Sequence, residues 1–332
     1  MFITTSCTAP NGGQGHWKYF IGEGLKDSQV DFNSLIFVTE KKGFLFGSTW
    51  QDDDILSGDK LRNQKSAIYS TENSGQNWKL NEFSNGSFET AVLCDSVIFA
   101  VKKTYYGFNV NDVESSQLIF SGNLGNSWQE KYLFRNDIQK LIFHNSMKGM
   151  AIAFNSSLPR IEYLMTISGG NSWNAIDFIN KPSNNAEFDK KGFLWYLPGY
   201  GNNRNGSKCV VYKDIFGNES ETKEDLPEDF VAVKIYIDLE SNIWLLGSID
   251  DMISVVKRDK HGKYHVIKNF LSGSIFSPEH IYVCENSVSI VIGETKETSI
   301  GYIKFHYFRS DDKGETWHQE AMAVDNRIDP IV

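Results

Sequence analysis

The sequence predicts an all-β chain assembled from repeated units of four short antiparallel strands. Three observations carry this prediction. The octapeptide Ser310-Asp311-Asp312-Lys313-Gly314-Glu315-Thr316-Trp317, of the form S-x-D-x-G-x-T-W, returns at 71–78, 121–128 and 166–173. Its Trp-equivalent positions fall at 78, 128, 173, 220, 265 and 317, spaced by 50, 45, 47, 45 and 52 residues. The runs between them are short, β-branched and aromatic, and no helical period of useful length interrupts them. A near-constant period of this size, one four-stranded sheet per repeat, is the signature of a β-propeller.

The octapeptide explains itself locally. A Ser or Thr hydroxyl and an Asp carboxylate accept hydrogen bonds from the backbone N–H groups of a tight turn. The Gly supplies a backbone angle that other residues resist. The Trp opens the following strand and buries a large ring beneath the turn. Asn73, Asn123 and Ser168 replace the Asp in the other copies, and each keeps an acceptor oxygen. Two worn copies keep only the Gly, at Gly217 and Gly262, with Ser220 and His265 in the Trp place.

Residues 1–15 read as a tail or tether, and 16–332 as one propeller domain. His16-Trp17-Lys18-Tyr19-Phe20 resembles the strand after each octapeptide, and it is an orphan suited to closing the ring. Each repeat then opens with an apolar strand such as Leu35-Ile36-Phe37-Val38, followed by a turn such as Lys41-Lys42-Gly43. A second strand follows, Phe44-Leu45-Phe46-Gly47 in the first repeat and Ile243-Trp244-Leu245-Leu246 in the fifth. A third, such as Ala67-Ile68-Tyr69-Ser70, leads into the octapeptide. The innermost strands are continuously apolar, as expected where neighbouring sheets cover both faces. Six complete sets give six blades, with seven as the alternative if the termini assemble another sheet.

The loops between second and third strands vary most: 48–65, 102–115, 154–160, 197–207, 248–252 and 294–301. They would share one face, opposite the octapeptide turns, and variable loops on a rigid scaffold are where binding resides. Their contact candidates are Trp50, Asp53, Tyr105, Tyr106, Phe108, Arg160, Tyr200 and Arg204, since exposed aromatics with a few charges suit a protein or glycan contact. Asp52-Asp53-Asp54 lacks the alternating ligand spacing of a calcium loop and reads as a solvated acidic stretch.

Composition narrows the function. Lys plus Arg total 33 against 42 Asp plus Glu, a net charge of −9 with no basic stripe, which argues against nucleic-acid partners. No apolar stretch is long enough for a transmembrane helix. Cys94, Cys209 and Cys284 lie in apolar strand-like runs and read as buried free thiols, although a disulfide between two of them stays open. Cys7, after a short apolar run and before a Gly-rich stretch, resembles the end of a bacterial lipoprotein signal lacking its charged segment. Lipidation there would locate the protein in the periplasm or envelope. The seven histidines form no metal motif, His306 reads as a satisfied core residue, and neither cofactor nor metal is expected.

The octapeptide resembles the Asp box, and the repeat order over roughly residues 16–320 resembles the Asp-box (BNR) repeat superfamily. The Lys-Gly-Phe-Leu-Phe-Gly blade at 42–47 is most similar to photosystem II stability/assembly factor-like propellers. That resemblance implies the fold and is nearly silent on activity. A sialidase-type member would need an arginine clamp on a substrate carboxylate, a Tyr–Glu nucleophile pair and an Asp acid/base. No Arg-Ile-Pro motif precedes the first box, and only Arg62, Arg135, Arg160 and Arg204 fall in loops where they could converge. The expectation is therefore a non-catalytic propeller that engages a protein partner, as an envelope assembly factor or an inhibitor or immunity protein. The alternative is a sialidase-like hydrolase or a lectin.

Overall fold

A computed structural model describes residues 30–50, 63–106, 113–155, 160–199, 206–217, 220–284, 286–295 and 302–320. Among these residues the fold is all-β: six four-stranded antiparallel sheets, each a meander in chain order, consistent with a six-bladed β-propeller. The chain divides into two compact units, residues 1–177 and 178–332.

The first unit holds three sheets. The first is β1 (Val30–Phe37), β2 (Gly43–Thr49), β3 (Lys65–Thr71) and β4 (Lys79–Asn85). The second is β5 (Ser87–Cys94), β6 (Val97–Tyr105), β7 (Val113–Ser121) and β8 (Gln129–Phe134). The third is β9 (Asp137–Phe143), β10 (Gly149–Asn155), β11 (Arg160–Thr166) and β12 (Asn174–Ile176). The second unit holds the other three. Its first is β13 (Pro182–Phe188), β14 (Leu194–Pro198), β15 (Cys209–Lys213) and β16 (Thr222–Asp225). Next come β17 (Val231–Ile237), β18 (Ile243–Ile249), β19 (Met252–Arg258) and β20 (Tyr264–Ser272). The last is β21 (Phe276–Cys284), β22 (Ser287–Thr295), β23 (Tyr302–Ser310) and β24 (His318–Glu320). Each sheet has its own fourth strand; the orphan strand at 16–20 and the tail lie outside the described residues.

The second strand of each sheet is buried along most of its length and flanked by hydrogen-bonded neighbours on both edges. Its two faces serve two cores, which is why its sequence shows no polar alternation. From β6, Ile98 and Ala100 join Phe44, Phe46, Ile68 and Phe88 on the first-sheet side. Phe99 and Val101 join Phe134, Ile138, Leu141 and Phe143 on the third-sheet side. The Phe99 and Phe143 rings stack at 3.9 Å. The second unit repeats the scheme: Ile243 and Leu245 of β18 pack with Trp195 and Phe230, while Trp244 and Leu246 pack with Ile281 and Ile290. A fully buried side chain of this size contributes about 2–3 kcal/mol.

First strands carry bulges at matching places. Pairing slips by one residue at Asn33, Glu89, Gln139, Val233 and Glu279, and by more between Pro182 and Ala186. A bulge bends its strand and re-aims a side chain. Asn33 thereby donates from Nδ2 to the Phe88 carbonyl of β5 at 2.9 Å, tying two sheets together. Opposite two of the bulges stand Gly47 and Gly247. A Cβ on either would lie 1.8 or 2.0 Å from the Asp31 or Val231 carbonyl oxygen, so no side chain fits.

The four full octapeptide turns share two hydrogen bonds. The Gly75, Gly125, Gly170 and Gly314 amides donate to the hydroxyls of Thr71, Ser121, Thr166 and Ser310 at 2.8–2.9 Å. The amides of Asn77, Ser127, Ser172 and Thr316 donate to Asn73, Asn123, Ser168 and Asp312 at 2.8–3.0 Å. The glycines have φ between 81° and 93°. The Trp rings then dock on aromatic neighbours: Trp128 lies edge-on to Phe44 and Phe46, Trp173 to Phe134, and Trp317 to Phe270.

The two worn copies are rebuilt around a different residue. Asp214 accepts the Phe216 and Gly217 amides. Asp259 accepts the His261 and Lys263 amides on one oxygen and the His265 ring on the other. The same device closes the first hairpins of two sheets. Asp189 takes the Lys191 and Phe193 amides and the Trp195 indole N–H. Asp238 takes the Glu240 and Asn242 amides and the Trp244 indole N–H. One carboxylate here performs the work that a hydroxyl and a second acceptor divide in the octapeptide turns.

Candidate binding face

Antiparallel order puts the ends of second strands, and the starts of first and third strands, at the sheet end opposite the octapeptide turns. In the first unit this end is densely polar. Lys103 on β6 is 8% exposed, and its Nζ meets Asp137 Oδ1 at the start of β9 at 2.6 Å. Asp137 also accepts from the Gln139 side chain. The Tyr105 hydroxyl donates to Glu89, the bulge residue of β5, at 2.9 Å. Burial, followed by the Glu89 charge, holds the Tyr105 phenol far above its ordinary value. Glu162 on β11 accepts from Asn155 at 3.0 Å, from Asn136 at 2.7 Å and from Arg160 Nη2 at 2.8 Å. The Asn155 bond leads in holding its carboxyl below the usual range; slight burial opposes it, and Arg160 and Asn136 add to it.

Tyr106, just past the end of β6, is 65% exposed. Trp50 follows β2 and is half-buried. On the first sheet, Thr49 donates to Glu82 at 2.9 Å and the buried Ser48 hydroxyl donates to Gln64 at 3.1 Å.

In the second unit the corresponding end differs from sheet to sheet. β18 and β19 join through Asp250 and Asp251, both with positive φ, in a two-residue hairpin. The predicted loop 248–252 is thus mostly strand. The imidazole of His306 on β23, 7% exposed, bonds Glu294 at 2.7 Å and Gln319 at 3.2 Å and meets the Phe276 ring edge-on. It is a satisfied core residue, as its apolar strand implied.

Of the predicted contact residues, Trp50, Tyr105, Tyr106 and Arg160 are described, and Asp53, Phe108, Tyr200 and Arg204 lie outside the described residues, as does Cys7. The predicted loop 102–115 contracts, because β6 runs through Tyr105 and β7 begins at Val113. Tyr105 is accordingly a strand residue with its hydroxyl engaged. Arg160 opens β11 with its guanidinium on Glu162, and Arg62 and Arg204 lie outside the described residues. Sequence reading missed Lys102, Lys103, Glu89, Asp137 and Glu162. The available signal was Val97-Ile98-Phe99-Ala100-Val101-Lys102-Lys103, an apolar second strand that ends in two lysines.

Cys94 and Cys209 are free, half-buried thiols, and burial pushes Cys94 up to about 11. Among the described residues no three His, Cys, Asp or Glu side chains group to hold a metal ion. No helix among them is long and apolar enough to cross a membrane.

No family model matches the chain, and no curated protein matches it. Solved structures do. An uncharacterized protein of Listeria monocytogenes EGD-e superposes with a TM-score of 0.57 at 8% identity, covering 91% of this chain and 86% of that one. A protein from Lactobacillus plantarum gives 0.47 at 8% identity over 82% and 84%. The GH74 enzyme of Niastella koreensis gives 0.36 at 12% identity, over 88% of this chain and 38% of that one. The first of these likenesses supports the fold alone; the other two are too distant to carry an argument.

Proposed function

We propose that this chain is a non-catalytic binding propeller of the Asp-box (BNR) type that engages a protein partner through the face where its second strands end. The observation that carries this reading is the pairing of polar groups on that face. Lys103 with Asp137, Tyr105 with Glu89, and Glu162 with Arg160, Asn155 and Asn136 engage one another, while Tyr106 beside them stays exposed. A platform ordered before docking loses little entropy on binding, and an exposed aromatic is a favoured anchor. Hydrolysis is less well supported. Glu162, Asp238, Glu240, Asp259 and Asp312 are the described carboxyls with displaced pKa values, and all are displaced downward. A glycosidase acid must be displaced upward. With a net charge of −9, a partner with a basic surface is favoured.

On this reading the protein serves as an envelope assembly factor or as an inhibitor or immunity protein, tethered through a lipidated Cys7. Affinity capture from the native host, comparing wild type with Trp50→Ala/Tyr106→Ala, tests the binding role. A stoichiometric partner lost in the folded double variant is the expected result. Capture of nothing, together with turnover of a sialoside or another member of a glycan panel, would replace this reading with the hydrolase. Failure of Cys7 to incorporate an alkyne-labelled fatty acid in a bacterial host would remove the tether.

A further inference from the structure

A second feature of the first unit is independent of the binding face. Lys102 and Lys103 occupy places where the other second strands carry Gly47-Ser48, Ala153-Phe154, Pro198-Gly199, Gly247-Ser248 and Ile292-Gly293. Both lysines are buried, at 7% and 8% exposure. Successive strand residues point to opposite faces, so they leave β6 toward different sheets. Lys103 reaches a carboxylate, Asp137. Lys102 turns toward the first sheet, where the partner of its Nζ among the described residues is only the Ser84 hydroxyl, at 2.6 Å. Lys102 is largely buried and no carboxylate among the described residues lies within ion-pair distance of its Nζ, so its ammonium is incompletely compensated.

Lys102 lines a cleft of about 310 Å³ between β4 and the face of the second sheet. Phe83 and Trp128 give it apolar walls. Ser84, Gln129 and Glu130 are exposed at its mouth. The volume is at the lower end of the range for ligand sites, about 300 Å³ and upward.

We infer that this cleft binds a small organic monocarboxylate with an apolar flank, its carboxylate on Lys102 Nζ and the Ser84 hydroxyl and its flank against Phe83 and Trp128. The carboxylate supplies the charge that Asp137 supplies to Lys103, through a charge-assisted hydrogen bond. Glu130 at the mouth repels a second negative charge, so inorganic phosphate is disfavoured.

Calorimetric titration of the full chain with 3-phenylpropionate, 3-phenylpropionamide and inorganic phosphate tests this. Saturable binding of the acid is expected, with the amide weaker by at least about tenfold and phosphate not saturating. The acid should raise Tm, because it binds the native state. Lys102→Met should abolish binding. Ser84→Asp, at an exposed position, guards against misfolding of that variant: it installs a carboxylate beside Lys102, so it should raise Tm and block the acid. Glu130→Gln should tighten the acid by about twofold to threefold. The inference is overturned if the acid does not saturate, if acid and amide bind alike, if phosphate binds as tightly as the acid, or if Ser84→Asp leaves acid binding intact.

Discussion

The two units close their turns by different chemistry. In the first unit all three turns into the fourth strand use a hydroxyl, a second acceptor and a glycine, with the Trp ring packed beneath. In the second unit only the last does; the turns at Asp214 and Asp259 rest on a single carboxylate, as do the hairpins at Asp189 and Asp238. The octapeptide turn also carries docking. A Cβ on Gly125 would lie 2.0 Å from the Phe44 ring, one on Gly170 2.5 Å from Leu118 and one on Gly314 2.8 Å from Ile267. The Asp259 turn carries less: Gly262 has the same φ of 83°, but its nearest neighbour is the end of the Arg258 side chain at 3.0 Å. Three of the four octapeptide turns thus seat against an adjoining sheet, whereas a Cβ on Gly75 would first meet Trp78 of its own turn, at 3.3 Å. Where only the hairpin needs closing, a carboxylate suffices.

The largest expected effect tests that difference directly. Gly125→Ala adds backbone strain and a clash with a buried ring, and it should destabilise the protein by about 3 kcal/mol. Gly262→Ala adds strain alone and should cost about 1 kcal/mol. Equal losses in urea unfolding would break the distinction between docking and non-docking turns.

Next in size is Asp238→Ala. It strips two amides and leaves the indole N–H of the fully buried Trp244 without its acceptor, a loss of about 2–3 kcal/mol. Asn73→Ala removes a comparable acceptor from a more open turn and should cost about 1 kcal/mol. If Asn73→Ala proved the more damaging, the carboxylate turns would be decoration.

A smaller effect concerns acid. Burial of Asp238 opposes ionisation, but the Trp244 indole and the Asn242 and Glu240 donors outweigh it, so its folded pKa lies below the ordinary 3.8. A lowered folded value contributes stability that is present above the unfolded pKa and is lost as pH falls through the folded one. Urea midpoints should therefore drop below about pH 4, and less steeply in Asp238→Asn. Parallel curves for the two proteins would show that Asp238 is not linked to acid unfolding.

The smallest effect is a gain. In the last turn the Thr316 hydroxyl and amide, with Ser310, hold Asp312 down at about 2. Asn73→Asp should place a carboxylate on the Thr71 hydroxyl and the Asn77 amide, without the hydroxyl that Thr316 supplies, and raise the urea midpoint slightly, more at low salt than at high salt. No gain at any ionic strength would mean that the carboxylate adds nothing to the octapeptide.

Much of this fold was legible because its signals are local. The hydroxyl, acceptor, Gly and Trp of each turn lie within eight residues, and their hydrogen bonds form in place. The carboxylate turns were equally local but were read as worn octapeptides. The pattern Asp189…Trp195, Asp238…Trp244 and Asp259…His265, one ring six residues after each Asp, was present and unused. The candidate face was less legible. Tyr105 reads as a loop aromatic until Glu89, aimed by its bulge, takes its hydroxyl.

The sequence by itself determined the repeat, the octapeptide turns and the apolar second strands, because each depends on residues close together along the chain. Only the tertiary structure decided which of two adjacent lysines receives a carboxylate, which glycines touch a ring, and which bulge reaches a neighbouring sheet. Those outcomes depend on residues brought together by docking of separate sheets, as Lys102 is to Ser84 and Lys103 to Asp137, and no spacing along one strand encodes where the next sheet will lie.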